Sequence, residues 1–130
     1  MIDRIELSLP ASAELLVLAR LTAATVASRA GFDVEEVEDL RLAVDELCIS
    51  MVEEGAGGRL RIEFVRDAGL IEVSCGHEPE PGGAGSVTGD PTLRDLSARI
   101  LDALVDEHGR DTRGGQKRAW LRKQRARQEA

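Results

Sequence analysis

Two periodicities alternate along this chain, and together they limit what it can fold into. Val37, Leu40, Val44, Leu47 and Met51 recur three and four residues apart, the spacing of one apolar stripe on a helix. Upstream the period drops to two: Ile5, Leu7 and Leu9 alternate with Arg4, Glu6 and Ser8 in a half-buried strand that Pro10 ends. Downstream, Leu60–Val65 and Leu70–Cys75 read as two more strands, joined at Asp67-Ala-Gly69 in an antiparallel hairpin. A helical bundle cannot absorb that many period-two segments.

The punctuation fills in the order. Ser12 is placed to cap a helix running to about Ala30, where Gly31 stops it, with Leu15, Leu18, Ala19, Thr22 and Val26 as its expected buried positions. Asp33 caps the next helix, and Glu36, three residues on, completes a capping box. That helix is expected to reach about Glu54, before Gly55, Gly57 and Gly58. Residues 76–91 hold three prolines and five glycines and read as a loop. Leu93 to Glu107 restores helical spacing, and a strand near Gly109–Arg113, a Gly114-Gly115 turn and a strand over Gln116–Lys123 follow. The order β-α-α-β-β-loop-α-β-β predicts an α+β two-layer sandwich, three helices covering one face of a mostly antiparallel sheet. Residues 1–130 form a single domain in this reading, with a short basic tail at about 124–130.

Charge and composition exclude several functions. The chain has 17 basic and 24 acidic residues, and six of the basic ones fall after Gln116. An acidic body repels nucleic-acid phosphates and favours a basic protein partner, although most such acids are ordinarily a solvated face. Phe32, Phe64 and Trp120 are the whole aromatic set, too few for a single-strand stacking platform. No direct nucleic-acid binding is expected. No stretch approaches the roughly 18 apolar residues of a membrane span, and no secretory pattern opens the sequence. Cys48 and Cys75 sit in apolar contexts without metal-ligand spacing, so buried reduced thiols and a cytoplasmic location are expected.

Glu46 and Ser50 lie four apart and share a helix face. With Leu40-Arg-Leu-Ala-Val-Asp-Glu46 and the order of elements, this helix resembles that of the Bergerat (GHKL) ATPases, which carry E-x-x-x-N at this place. Along nearly its whole length the chain is similar to the RsbW-type anti-sigma factors and serine kinases of bacteria. The resemblance implies a histidine-kinase-like ATPase fold, often a homodimer. It also implies an alternative sigma factor as the sequestered partner and an anti-anti-sigma protein of the STAS class as the release partner, which active members phosphorylate on serine using Mg-ATP.

Carried over residue by residue, the implied nucleotide site is altered. Glu46 matches the glutamate that acts as general base or orients the nucleophile; on its residues alone it reads equally as a helix-surface carboxylate. Ser50 stands where the family's asparagine ligates Mg²⁺, and a hydroxyl is a shorter, poorer ligand for an ion that demands tight octahedral geometry. Cys75 or Ser74 stands where an aspartate accepts the adenine amino group, and neither is a charged acceptor. The loop glycines Gly82, Gly83, Gly85 and Gly89 lack the family's G-x-G-L helix start. Gly114 and Gly115 resemble its late glycine turn, which a plain hairpin explains as well. His77 reads as a loop histidine.

The expectation is therefore an anti-sigma factor with a degenerate ATP site that needs no cofactor. The acids Asp33, Glu35, Glu36, Glu38 and Asp39, with the loop after Cys75, are the candidate protein-binding face. The alternative is a working serine/threonine-protein kinase that binds ATP and uses Glu46. A third reading is an adaptor that binds STAS partners alone.

Overall fold

The computed structural model describes residues 2–54, 57–81 and 91–126. Among them the elements run β1 (Ile2–Pro10), α1 (Leu16–Arg29), α2 (Val34–Glu54), β2 (Arg59–Asp67), β3 (Leu70–Glu78), α3 (Pro91–Leu104), β4 (Glu107–Arg113) and β5 (Gln116–Gln124). The strands form one antiparallel sheet in the order β1-β2-β3-β5-β4. The α+β sandwich read from the sequence is the fold observed.

Asp33 opens the longest helix through the capping box: its Oδ1 accepts from the Glu36 amide at 2.8 Å, and the Glu36 carboxylate accepts from the Asp33 amide at 3.0 Å. From there Leu40, Ala43, Val44, Leu47, Cys48 and Met51 present one buried stripe to the sheet. They meet Leu60, Ile62 and Phe64 of β2, Ile71, Val73 and Cys75 of β3, and Ala119 and Leu121 of β5 in one continuous core. Each large member stabilises the fold by about 1.5–3 kcal/mol on burial. The alternate strand positions, Arg61, Glu63, Glu72 and Arg122 among them, lie on the other face, where Arg122 bonds Glu72 at 2.8 Å and Glu107 at 3.1 Å across three strands. Arg122 also stands 4.8 Å over the Trp120 ring. Gly109 is needed beneath that ring, because a Cβ there would come within 2.8 Å of Trp120.

The structure corrects several boundaries. Ser12 makes no side-chain cap; the chain enters α1 through a 3-10 turn over Ala13–Leu15. In α1 the buried positions are Leu16, Ala19, Ala23, Val26 and Ala27, whereas Leu18 is exposed and Leu15 and Thr22 are only half-buried. The alanines decide the phase: three of them, four residues apart, let α1 lie close on α2, and the bulkier Val17, Leu18 and Leu21 turn outward. The third helix stops at Leu104 and Glu107 begins β4, while Asp106 between them accepts from the Gln124 amide at 2.6 Å. Strand β3 continues to Glu78 and takes the first residues of the expected loop. Gln124 still belongs to β5, so the tail begins one residue later. Its first residues are tied down: the Arg125 amide donates to Gly69 at 2.7 Å and the Ala126 amide to Glu36 at 2.7 Å.

Candidate functional site

The C-terminal half of α2 and the end of β3 bring Glu46, Ser50 and Cys75 to one end of the sandwich, as the sequence spacing requires. Glu46 is half-buried. Ser50 is 9% exposed, and its hydroxyl donates back to the Leu47 carbonyl at 2.8 Å. That bond occupies its only proton and turns the group onto its own helix.

Cys75 is wholly buried on β3 and meets Cys48, equally buried on α2. The Cys48 thiol is hydrogen-bonded to Cys75. That contact first, then burial, then the fields of Cys75 and Asp45, push it well above the ordinary thiol range. Both thiols are buried and unbridged, in line with the expectation of buried reduced cysteines. Where the resemblance calls for a carboxylate facing a purine, the residues present are two apolar-packed S–H groups.

The other site residues separate. Gly114 and Gly115 form the two-residue tip of the β4–β5 hairpin at φ of 61° and 80°, and a Cβ on either would meet nothing within 4 Å. Their role is the positive φ that a tight hairpin turn demands. His77 sits on β3 rather than in a loop, and its Nε2 donates to the Gly57 carbonyl at 2.6 Å. Gly82, Gly83, Gly85 and Gly89 lie outside the described residues. Among the described residues no cluster of three or more histidine, cysteine or carboxylate side chains is placed to hold a metal ion. Among the same residues no helix is long and apolar enough to cross a membrane.

The acidic candidates occupy the opposite end of α2, about 16 to 25 Å from Ser50 along the helix axis at roughly 1.5 Å per residue. Asp33 and Glu36 are spent on the capping box, and Glu36 also accepts from the Ala126 amide. Glu38 pairs with Arg41 at 2.6 Å, and Asp39 stands 4.0 Å from Lys123. Asp33, Glu35 and Glu38 are exposed, whereas Glu36 and Asp39 are half-buried. Most of the loop after Cys75, the other part of the candidate face, lies outside the described residues.

Sequence reading missed one feature. Met51, Arg94, Arg110, Asp111, Lys117 and Arg118 line a cleft of about 220 Å³ between α3 and the β4–β5 hairpin. Arg118 forks onto Asp111 with bonds of 2.9 and 2.7 Å, and the pair holds the Asp111 carboxyl below the usual carboxylate range and Arg118 above the usual guanidinium range. The signal was present: once Gly114-Gly115 fixes the turn, the register sets Asp111 opposite Arg118 and Thr112 opposite Lys117.

Residues 9–123 match the histidine kinase-like ATPase domain. The chain belongs to that family, as an RsbW-type member. It is 39% identical over 78 residues to the serine-protein kinase RsbW of Bacillus pumilus (strain SAFR-032), an alignment covering 55% of this chain and 48% of that protein. Against the serine-protein kinase RsbW of Bacillus cereus (strain AH187) the identity is 41% over 74 residues, covering 57% of this chain and 41% of the relative. The chain therefore spans about half the length of the curated relatives it matches.

Proposed function

We propose that this protein is an anti-sigma factor that works as a binding module in the cytoplasm, sequestering an alternative sigma factor without needing Mg-ATP. One observation carries the reading. The two positions that resemblance assigns to Mg²⁺ and adenine are a serine bonded back onto its own helix and a thiol sealed against a second thiol. Neither offers a charged or amide oxygen, so this donor set does not fit Mg-ATP in the family's manner. The framework around them is intact, and a framework suffices for protein binding.

The RsbW likeness supports an anti-anti-sigma protein of the STAS class as the partner that releases the complex. It also supports a homodimer. A plausible seam for one is β1, an edge strand of nine residues with one side unpaired in the sheet order. The observation favouring a second reading, a working serine/threonine-protein kinase, is that the matched relatives are named serine-protein kinases and Glu46 keeps its place on α2.

Affinity purification of the tagged chain from its host lysate, with and without Mg-ATP, separates these readings. Equal recovery of a sigma factor in both samples is the expected result. ATP-dependent recovery together with phosphate transfer to a STAS protein would establish the kinase instead. Recovery of STAS proteins alone would make the chain an adaptor.

A further inference from the structure

The helix layer stops short of one edge of the sheet. On the helix-facing side of β1 and β2, Ile5 pairs in register with Phe64 and Asp3 with Arg66. Phe64 is sealed at 1% exposure, yet Ile5, on the same face of the edge strand, is 39% exposed. The alanines of α1 hold that helix against α2 and leave this part of β1 uncovered. What remains is a pocket of about 270 Å³ between β1, β2 and the C-terminal half of α1. Ile5, Val26 and Phe64 form its apolar wall.

The polar groups around it differ in how far they are satisfied. Arg66 donates from Nη1 to the Arg29 carbonyl at 2.8 Å, and its Nη2 pairs with Asp3 at 2.6 Å. Its Nε is buried and has no acceptor. An unmet buried donor is costly, and native proteins ordinarily supply such a group with water or a ligand. Arg4 stands 3.9 Å from Glu63. Arg29 is different. It is exposed, and its guanidinium makes no bond or ion pair among the described residues, so one positive charge is left over at the mouth.

We propose that this pocket binds a small amphipathic monocarboxylate, its hydrocarbon body against Ile5, Val26 and Phe64 and its carboxylate on Arg29. One unpaired guanidinium matches one planar carboxylate through a two-bond fork. A phosphoryl group would bring a second negative charge beside Asp3, where Arg4 and Arg66 already have carboxylate partners. A carboxylate oxygen that draws the Arg66 side chain toward the pocket also gives its Nε the acceptor it lacks. The volume falls just below the range of about 300–1,000 Å³ that drug-sized ligands occupy, so the guest is compact. The site does not rest on the anti-sigma reading and stands or falls separately from it.

Titration calorimetry of the full chain with sodium octanoate tests it, with octylamine as the control of opposite charge. Octanoate is expected to saturate one site, and hexanoate to bind more weakly by about fourfold for each methylene removed. Arg29→Gln should reduce octanoate affinity about tenfold, the size of one lost charge-assisted hydrogen bond. The Arg29 side chain is exposed and bonds nothing, so that variant spares the fold. Ile5→Ser, which removes part of the apolar wall, should weaken binding by a similar factor. Arg20→Gln, elsewhere on α1, should change nothing, and octylamine should give no saturable heat. Sedimentation equilibrium should return the same mass with and without octanoate. Four results would overturn the site: no saturable heat at millimolar octanoate, octylamine binding as tightly, an affinity indifferent to Arg29→Gln, or octanoate splitting a dimer. The last would give the pocket to a second copy of the chain.

Discussion

The two ends of α2 are built on opposite principles. At its start, Asp33 and Glu36 satisfy the helix's own amides and reach across to the Ala126 amide, so the acids there hold the fold. At its far end, Ser50 bonds back onto its own helix and Cys48 is buried against Cys75, so both are turned inward. Under the proposed function, the caps at one end keep the scaffold while the inward-turned groups at the other leave Mg-ATP without its usual oxygens. Partner recognition can outlast catalysis on such a frame, because a binding face needs shape and charge while a phosphoryl-transfer site needs several oxygens in fixed places.

That contrast can be broken most severely at Cys75. Cys75→Asp would place a carboxylate where the surroundings are a thiol and apolar side chains, and a loss of about 3–5 kcal/mol in urea unfolding is expected. Unchanged stability would mean that the pocket is wetter and more polar than its complete burial indicates. At the other end Asp33→Ala should cost about 1 kcal/mol, the ordinary value of a lost N-cap. Glu36→Ala should cost at least as much, since two amides lose their acceptor. Ser50→Ala should fall within about 0.5 kcal/mol, since the hydroxyl only back-bonds its own helix.

Reactivity and charge sharpen the comparison further. Cys48, pushed up by its Cys75 contact and by burial, should react with a chromogenic disulfide reagent only at the rate of unfolding, and Cys75 with it. Prompt reaction in the native state would show an open pocket. Charge removal at Glu35 and Glu38 should slow association with a basic partner and flatten its salt dependence, without the stability loss seen at Asp33 or Glu36. The smallest effect belongs to Asp111. Its folded-state pKa is lowered by Arg118, so the pair contributes above the unfolded aspartate range and that contribution is lost as pH falls through the lowered value. Asp111→Asn should therefore lower stability slightly at neutral pH and flatten the acid limb, the difference from the parent chain vanishing once pH falls below the lowered value.

Much of the fold was legible in the sequence because its determinants are local. The capping box at Asp33 and Glu36, the period-two strands and the Gly114-Gly115 turn each act within a few residues, and each is where the pattern puts it. The phase of α1 was not legible. Leucine is the stronger apolar signal, yet the α1–α2 seam is closed by Ala19, Ala23 and Ala27, and that choice depends on how near a second helix must come. The end of α3 was misread because Val105 continues the apolar spacing after the backbone has left the helix. At the site, the residue types at Glu46, Ser50 and Cys75 were readable. The inward bond of Ser50 and the thiol–thiol contact needed coordinates. The cationic cleft was missed because its four cations come from three elements that only the folded sheet brings together.

The central claim is that the chain is a partner-binding scaffold independent of Mg-ATP. Its most direct test is the affinity of the purified chain for its sigma factor, measured by calorimetry with and without saturating Mg-ATP. The account predicts one affinity under both conditions and no heat when Mg-ATP is titrated into the chain alone. A saturable Mg-ATP heat that shifts sigma affinity tenfold or more would contradict it and return Glu46 to a catalytic role.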